Sequence, residues 1–381
     1  EVGLNRFDGN GFTVYKQHNS EIAGDALNTL LYDEKEDVLW MGGKFGGLCA
    51  WEGKSGCFRT YQARNGMKLE NIVHLAKAND GGIWITPHHY DPIYFDSRSH
   101  RFTSLSDMGI QLDCRSNLCA FADGDLLYVG HYRGGMSIID LKKKTTRRML
   151  HDPSVPQSLP GHSVYSLYKD RLGHLWVGTE WGLGLLDSST GRFTVFRHVP
   201  GRISSLVADR VYDICETADG KLWIACDVGG ISILDLSQIT FKHPEEVCFE
   251  NLLSAVTGKG LSSSNIRKVL QDSYGNIWIG NYSCGLDFIS HRPPVFQICG
   301  DRPVYGMYRG EEGQLWVGGE NELLLYKNDS LAKRFDICCD MLCSYGWVAA
   351  IIDDGQGFLL LGLSDNGILR TELRTGKTER V

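Results

Sequence analysis

The chain is a succession of short stretches in which apolar and polar residues alternate, separated by Gly, Asp, Asn or Ser. One clear succession has apolar stretches at 164–169, 174–179, 182–187 and 192–196, with the polar segment 170–173 between the first two. Alternation with a period of two residues predicts β-strands, and the polar segments between them predict hairpin turns. No window of 11 or more residues has the periodicity of a helix. The pattern therefore predicts an all-β protein.

This four-strand unit recurs, and its most regular part is an aromatic residue between two aliphatic residues, followed by Gly. It reads Leu-Trp-Val-Gly at 175–178, Ile-Trp-Ile-Gly at 277–280 and Leu-Trp-Val-Gly at 315–318. Looser copies have their central residue at 40, 84, 128, 223 and 360. A repeat of about 40–50 residues with four strands is typical of a β-propeller blade. We predict a β-propeller of four-stranded antiparallel blades, with the tryptophans packed between adjacent blades.

The repeats divide residues 1–381 into eight and a half units of a predicted propeller. A partial first blade at 1–16 matches the third and fourth strands of a unit. Complete units are predicted near 27–61, 71–105, 116–150, 164–198, 210–250, 265–298, 303–335 and 346–381, and 241–260 contains an insertion at a blade edge. This number fits an eight-bladed ring, or a seven-bladed ring plus the start of a neighbour, and the sequence leaves that choice open.

Composition and charge exclude several classes of function. Hydrophobic residues make up 42% of the chain, Gly is abundant at 45 residues, and the formal net charge is −7. Nucleic acid is not predicted as a partner because the longest basic run is Lys142-Lys143-Lys144, too short for a phosphate-binding face. No apolar stretch approaches the roughly 20 residues of a membrane helix, and no signal sequence opens the chain. We therefore expect a soluble fragment or mature ectodomain without membrane contacts of its own.

Twelve cysteines are many for such a chain, and they show no repeated disulfide framework. Cys49, Cys215, Cys226 and Cys284 occupy strand positions of small apolar residues, so we predict buried thiols there. Two groups are close enough in sequence to form a disulfide, but the sequence leaves the disulfide state open: Cys114 with Cys119, and Cys338 or Cys339 with Cys343.

Several repeats resemble the two-component regulator propeller repeat. The matching segments are Gly-Leu-Asn-Arg-Phe-Asp-Gly at 3–9 with Phe-Thr-Val-Tyr at 12–15, Leu-Trp-Val-Gly-Thr at 175–179, and Asp-Ser-Tyr-Gly-Asn-Ile-Trp-Ile-Gly at 272–280. The resemblance implies the periplasmic sensor region of a hybrid two-component system, on the ectodomain side of an inner-membrane protein. It also implies recognition of glycan fragments and signalling to a kinase in the remaining domains of the same chain, outside this sequence.

The loops between second and third strands are the expected ligand contacts, because propellers gather these loops on one face around the central channel. They differ among the units, whereas the turns between first and second strands are short and polar. The loops contain aromatic rings, which stack on sugars, and charged groups, which bond to hydroxyls. Solvation alone is the other explanation of their polarity. The candidate contacts are Tyr90, Tyr132, Arg133 and Trp181, followed by His88, His89, His131, Glu180 and Tyr282.

The sequence predicts neither a metal nor a cofactor. His88 and His89, with His131 nearby, suggest metal ligation, but adjacent residues at a strand end point in opposite directions and rarely bind one ion. Catalysis is not predicted either, because no nucleophile motif is present. A propeller glycoside hydrolase or polysaccharide lyase is the first alternative, since Glu180, Asp227 and Glu320 lie on loops of different units. A protein-binding scaffold is the second alternative, and homodimer formation is left open.

Overall fold

A computed structural model describes most of the chain and shows an all-β fold. It describes residues 3–63, 67–239, 244–254, 260–282, 284–291, 303–310, 313–327, 330–337, 346–364, 367–373, 375 and 377–381. The helical elements within these ranges are two 3₁₀ turns, Leu236–Gln238 and Pro244–Glu246. The prediction of an all-β protein is confirmed.

The strands of the first half form a hairpin and three antiparallel sheets, lettered here in chain order. The hairpin pairs β1 (Leu4–Phe7) with β2 (Phe12–Tyr15). Sheet A contains β3 (Leu27–Asp33), β4 (Val38–Gly43), β5 (Leu48–Glu52) and β6 (Cys57–Tyr61). Sheet B contains β7 (Ile72–Lys77), β8 (Ile83–Pro87), β9 (Ile93–Asp96) and β10 (Arg101–Ser104). Sheet C contains β11 (Asn117–Asp123), β12 (Leu126–His131), β13 (Met136–Asp140) and β14 (Thr145–Met149).

Five further sheets follow the same order. Sheet D contains β15 (Val164–Lys169), β16 (Leu175–Thr179), β17 (Gly182–Asp187) and β18 (Arg192–Phe196). Sheet E contains β19 (Val211–Glu216), β20 (Lys221–Cys226), β21 (Gly230–Asp235) and β22 (Glu250–Leu252). Sheet F contains β23 (Ile266–Gln271), β24 (Ile277–Asn281) and β25 (Leu286–Ile289). Sheet G contains β26 (Gly306–Arg309), β27 (Gln314–Gly318), β28 (Glu322–Lys327) and β29 (Ser330–Asp336). Sheet H contains β30 (Val348–Asp353), β31 (Phe358–Leu363), β32 (Gly367–Glu372) and β33 (Thr378–Arg380).

Each sheet is a meander in which sequence neighbours pair, and the first strands of successive sheets contact one another. These contacts join β3 to β7, β7 to β11, β11 to β15, β15 to β19 and β19 to β23, and also β26 to β30. Four-stranded sheets with adjoining innermost strands are propeller blades. The fourth strand expected near 295–298 lies outside the described residues, which leaves sheet F with three.

The chain divides into two compact units, Glu1–His291 and Arg292–Val381. The repeat pattern had predicted a single propeller domain over residues 1–381. The first unit contains the hairpin and sheets A to F, and the second contains sheets G and H. Within each unit the core consists of apolar layers between neighbouring sheets.

The repeat tryptophans lie in these layers, as Trp176 of sheet D shows. Its side chain is fully buried among Leu206, Val211 and Ile224, which come from sheet E and the segment leading to it. Its indole Nε1 donates a hydrogen bond to Asp170 Oδ2 at 2.8 Å. Asp170 stands in the turn before β16, so one hydrogen bond ties the turn to the inter-sheet core. Trp278 donates the same bond to Asp272 at 2.9 Å, although its side chain is only half-buried.

The cysteines agree only partly with the sequence prediction. Cys49 and Cys226 are buried and Cys215 is half-buried in β19, but Cys284 is exposed. The prediction for Cys284 is wrong because the loop after β24 extends to Gly285, so residue 284 precedes the strand.

No disulfide joins Cys114 to Cys119 in the described structure. Cys119 is buried in β11 and directs its thiol to the Val164 carbonyl, and burial raises its pKa to about 12. Cys338, Cys339 and Cys343 lie outside the described residues.

Candidate ligand-binding face

Backbone hydrogen bonds connect the loops after the second strands in the first unit. The Asn71 amide donates to the Lys44 carbonyl, the His88 amide to the Asn71 carbonyl, and the Asn117 amide to the His88 carbonyl, at 2.9–3.0 Å. The first and third of these bonds join a loop to the start of the next sheet, and the second joins the loop of sheet B to the segment before its own first strand. In sheet C the Tyr132 amide donates to the Ser116 carbonyl at 2.7 Å, so the loops of sheets A, B and C lie along one face. We call this face, formed by the loops after second strands and the segments before first strands, the loop face.

Sheet B contributes His88, His89 and Tyr90 to the loop face. His88 is half-buried and its Nδ1 lies 2.7 Å from the Asn117 carbonyl, whereas His89 is exposed. The two imidazole rings are 4.2 Å apart. Tyr90 is 37% exposed, and the Lys68 ammonium lies 5.7 Å from its ring centroid.

Tyr90 also lines a cleft of about 530 Å³ together with Lys68, Asp91, Arg101 and Arg115. Arg115 donates from Nε and Nη2 to the two carboxylate oxygens of Asp91, at 2.9 and 3.3 Å. Such a two-point pair holds both side chains in a fixed orientation. The cleft therefore has a rigid polar wall beside an aromatic ring and a lysine.

Sheet C places Tyr132 and Arg133 on the surface and His131 in the interior. Tyr132 is 46% exposed, and the Arg133 guanidinium lies 5.4 Å from its ring centroid. The Arg133 amide donates to Ser163 Oγ, which fixes the loop against the segment entering sheet D.

His131 corrects the expectation from the sequence. Its ring is fully buried, and its two nitrogens lie 3.1 Å from Asn117 Oδ1 and 2.8 Å from Ser137 Oγ. Burial lowers the pKa of His131 to about 4, so the ring is neutral at pH 7. With both nitrogens engaged inside the protein, His131 supports the loop and presents no ring surface to a ligand.

Sheet D contributes Trp181 and Glu180, and the structure adds two histidines that the sequence analysis did not select. Trp181 is 44% exposed, and the rings of His151 and His162 lie 5.3 and 5.1 Å from it. The two imidazoles are 4.9 Å from each other, so the three rings form a triangle. Glu180 accepts a hydrogen bond from the His162 amide at 3.0 Å. His151 and His162 lie between β14 and β15, whereas the residues predicted from the sequence lie in the loops after second strands.

Sheets E and F form the most organised group on the loop face. The Arg267 guanidinium lies between two rings, 3.7 Å from the centroid of Tyr212 and 4.6 Å from that of Tyr282. Arg210 Nη1 lies 2.9 Å from Asp227 Oδ2 and forms a salt bridge with it. Arg267 Nη2 lies 3.8 Å from Oδ1, the other carboxylate oxygen of Asp227. The Asp227 hydrogen bond raises the pKa of Arg210. Stacking and ion pairing together fix a planar cation between two aromatic rings.

Of these residues, Tyr282 and Asp227 were noted in the sequence, and Arg210, Tyr212 and Arg267 were missed. Tyr212 and Arg267 occupy the second position of a first strand, where a β-bulge interrupts the register. Tyr165 has this position in sheet D, and its ring lies 4.8 Å from that of Tyr212. Bulges re-aim side chains near functional sites. A signal was present in the sequence, since this position varies in chemistry while the residue before it stays apolar in most units.

Two of the three acids considered for catalysis are held by neighbouring groups of the loop face. Glu180 is bonded to a backbone amide and Asp227 to two arginines, as described above. Glu320 belongs to the second unit, where it forms an isolated bridge with Trp347. Within the residues that the structure describes, no cluster of three or more His, Cys, Asp or Glu side chains has the geometry of a metal site. The described helical elements are also too short to cross a membrane.

Three segments of the chain match a known family of repeats. The family described as two component regulator propeller matches residues 158–181, 205–227 and 260–283. These three segments are similar to two-component regulator propeller repeats. The three matched repeats span the first two strands of sheets D, E and F and the loops that follow them. They therefore contain the Trp181 loop, the Arg210–Asp227 pair and the Arg267–Tyr282 stack.

Solved structures that match this chain include two extracellular domains from B. thetaiotaomicron. That of the putative hybrid two component system BT3049 is 28% identical with a TM-score of 0.65, and the match covers 100% of this chain and 50% of that chain. That of the putative one component system BT4673 is 16% identical with a TM-score of 0.37, covering 100% and 64%. The repeat-bearing chain thus spans half the length of the BT3049 domain. A comparison with curated proteins finds no match.

Proposed function

We propose that this chain is the ligand-sensing part of a hybrid two-component system sensor. It lies in the periplasm, binds an oligosaccharide on the loop face, and signals to a kinase elsewhere in its own chain. The repeats and the similarity to the BT3049 extracellular domain support the sensor role. The proposal of a ligand site rests on the Arg267 group, which consists of Arg267, Tyr212 and Tyr282. Polar side chains that serve only to solvate a loop do not need fixed positions, whereas this guanidinium is held between two aromatic rings.

The chemistry of the loop face suits a sugar. Tyr282 is 68% exposed and Trp181 is 44% exposed, yet both rings are held by neighbouring cationic or imidazole groups. An exposed ring fixed in orientation can stack on the C–H face of a pyranose without a further loss of side-chain freedom. Arginine and carboxylate groups beside it can bond to hydroxyls. Arg267 and Arg133 can also pair with a carboxylate or sulfate if the glycan is acidic.

The loop face is open, because most of its loops have only a few residues. A small ligand needs a concave site that covers most of its surface. We propose that another domain of the chain or a dimer partner supplies the missing walls. Binding then shifts the equilibrium between domain arrangements by no more than the difference in ligand affinity between them.

Calorimetric titration with a glycan library, with product analysis of the same samples, tests this proposal. Heat without products supports a sensor, products indicate the glycosidase or lyase alternative, and neither leaves the protein-binding scaffold. For a binding glycan, Arg267→Ala and Trp181→Ala are expected to weaken the affinity at least tenfold. Tyr274→Ala is the control, since Tyr274 is 75% exposed in the turn between the first two strands of sheet F. Equal effects of all three variants would contradict the assignment to the loop face.

A further inference from the structure

The cleft beside Tyr90 runs along β10, the outermost strand of sheet B, and shares no residue with the Arg267 group. Its lining includes the apolar residues Met67, Ile93 and Phe102, together with charged and hydroxyl-bearing residues. Its volume of about 530 Å³ lies within the range of about 300–1,000 Å³ that is typical of small-molecule sites. The cleft therefore has the size and the mixed lining of a ligand site.

The charges that line the cleft are not balanced. Three cations, Lys68, Arg101 and Arg115, accompany two carboxylates, those of Asp91 and Asp107. This excess of positive charge contrasts with the net charge of −7 of the whole chain. A concave surface with a local excess of one sign of charge attracts ligands of the opposite sign. The cleft therefore favours an anion, although the protein as a whole does not.

Both carboxylates are already held by groups of the protein. Asp91 is 9% exposed and accepts the two-point bond from Arg115. Asp107 Oδ2 accepts hydrogen bonds from Ser104 Oγ at 2.7 Å and from the Ser104 amide at 3.1 Å. These bonds lower the pKa of Asp107, so this carboxylate is ionised at neutral pH. The two carboxylates are thus engaged by groups other than Lys68 and Arg101.

Lys68 and Arg101 are cations without a carboxylate partner. Both are exposed, and the Arg115–Asp91 pair is the only salt bridge among the described residues of the cleft. The Lys68 ammonium lies 5.7 Å from the ring centroid of Tyr90, a contact that does not neutralise its charge. Arg115 donates two of its five N–H groups to Asp91, which leaves three for a ligand. The cleft therefore offers two uncompensated cations, further N–H donors and an aromatic ring.

We propose that this cleft binds a saccharide that carries a carboxylate or a sulfate, at a site separate from the Arg267 group. Lys68 and Arg101 attract the anionic group, the sugar ring lies against Tyr90, and the remaining N–H groups of Arg115 bond to sugar hydroxyls. The choice of a saccharide rests on the proposed function, whereas the choice of an anion rests on the charges of the cleft.

Ligand-observed NMR titration of the 381-residue chain tests this proposal. The probes are galacturonate, glucuronate and the 6-sulfates of galactose and N-acetylglucosamine, each compared with its neutral parent sugar. At least one charged probe is expected to bind roughly tenfold more tightly than its parent, and added NaCl should weaken that binding. The uronates and the sulfated sugars distinguish a carboxylate site from a sulfate site. Equal affinity of every charged probe and its parent, or no binding of any charged probe, would overturn the proposal.

Substitutions that remove one charge each test the two cations. Lys68→Gln and Arg101→Gln are expected to weaken binding of the charged sugar roughly tenfold. Arg98→Gln is the matched control, because it removes the same charge in the exposed turn between β9 and β10, outside the cleft. A similar loss in Arg98→Gln, or no loss in either cleft variant, would contradict the assignment. Arg115 is left in place because its removal would leave the carboxylate of Asp91 unpaired.

Hydrogen exchange with and without the charged sugar locates the bound molecule. Slower exchange at the amides of 101–107 supports the cleft. Slower exchange at 265–268 alone would assign the anion to the Arg267 group, which overturns this inference and supports the proposed function. Binding of neutral glycans from the library without binding of any charged sugar has the same meaning, so the two proposals fail separately.

Discussion

Removing the indole of Trp176 is a direct test of how the blades are held together. Trp176 combines complete burial between sheets D and E with the hydrogen bond to the carboxylate of Asp170. Trp278 has an equivalent hydrogen bond to Asp272 but is only half-buried. The two alanine variants therefore lose the same polar contact and differ in the buried apolar contact.

The expected magnitudes follow from that difference. A fully buried tryptophan replaced by alanine costs about 3–5 kcal/mol, through lost transfer free energy and the cavity left behind. We expect about 4 kcal/mol for Trp176→Ala and about 2 kcal/mol for Trp278→Ala, because part of the second ring already contacts water. Trp176→Phe keeps most of the apolar contact and should cost about 1–2 kcal/mol. That loss comes mainly from removing one donor to the buried carboxylate.

Urea unfolding followed by circular dichroism gives the free energies, with tryptophan fluorescence as a second probe. Because the chain has two compact units, hydrogen exchange of the β15–β18 amides should accompany it, to measure the opening of sheet D itself. Equal losses for Trp176→Ala and Trp278→Ala would show that burial does not determine the effect. A loss below about 1 kcal/mol for Trp176→Ala would contradict the packing role altogether.

Two further predictions concern buried titratable groups. The pKa of buried His131 is lowered to about 4, below its unfolded value, so its stabilising contribution is complete above about pH 6.5. About 3 kcal/mol should be lost from this group as the pH falls from 6.5 to 4. His131→Gln should therefore make the urea midpoint less dependent on pH over this window, with the remaining dependence including that of buried His74, whose pKa is lowered to about 3. An unchanged dependence of the midpoint on pH would contradict the prediction. In thiol labelling of the native protein, exposed Cys57 and Cys248 should react early, while Cys119 and Cys226, whose pKa burial raises to about 12, should not. Single serine variants assign the labelling phases, and a lost early phase in Cys119→Ser would refute the prediction.

The sequence alone determined the strands, because the blade is a local unit. Period-two alternation, polar turns and the apolar-Trp-apolar-Gly segment lie within some forty residues, and each follows from short-range rules of chain geometry. The alternation at 3–15 likewise predicts two strands, and β1 (Leu4–Phe7) and β2 (Phe12–Tyr15) pair there as a hairpin. The loops after second strands were located in the same way, since they follow a recognisable strand.

Which loop residues face outward was decided by the tertiary structure. His131 and Tyr132 are adjacent in the chain, but the first is fully buried and the second is 46% exposed. The His131 side chain lies inside the protein because its two ring nitrogens are within hydrogen-bond distance of Asn117 and Ser137 there. The Arg267 group joins side chains from separate strands, and its register depends on bulges that alternation does not reveal. Cys284 is exposed because it lies in the loop before β25 and not in the strand. Long-range contacts of this kind form only when the blades pack. A repeat pattern therefore predicts the blades, but it does not predict which side chains of different blades contact one another.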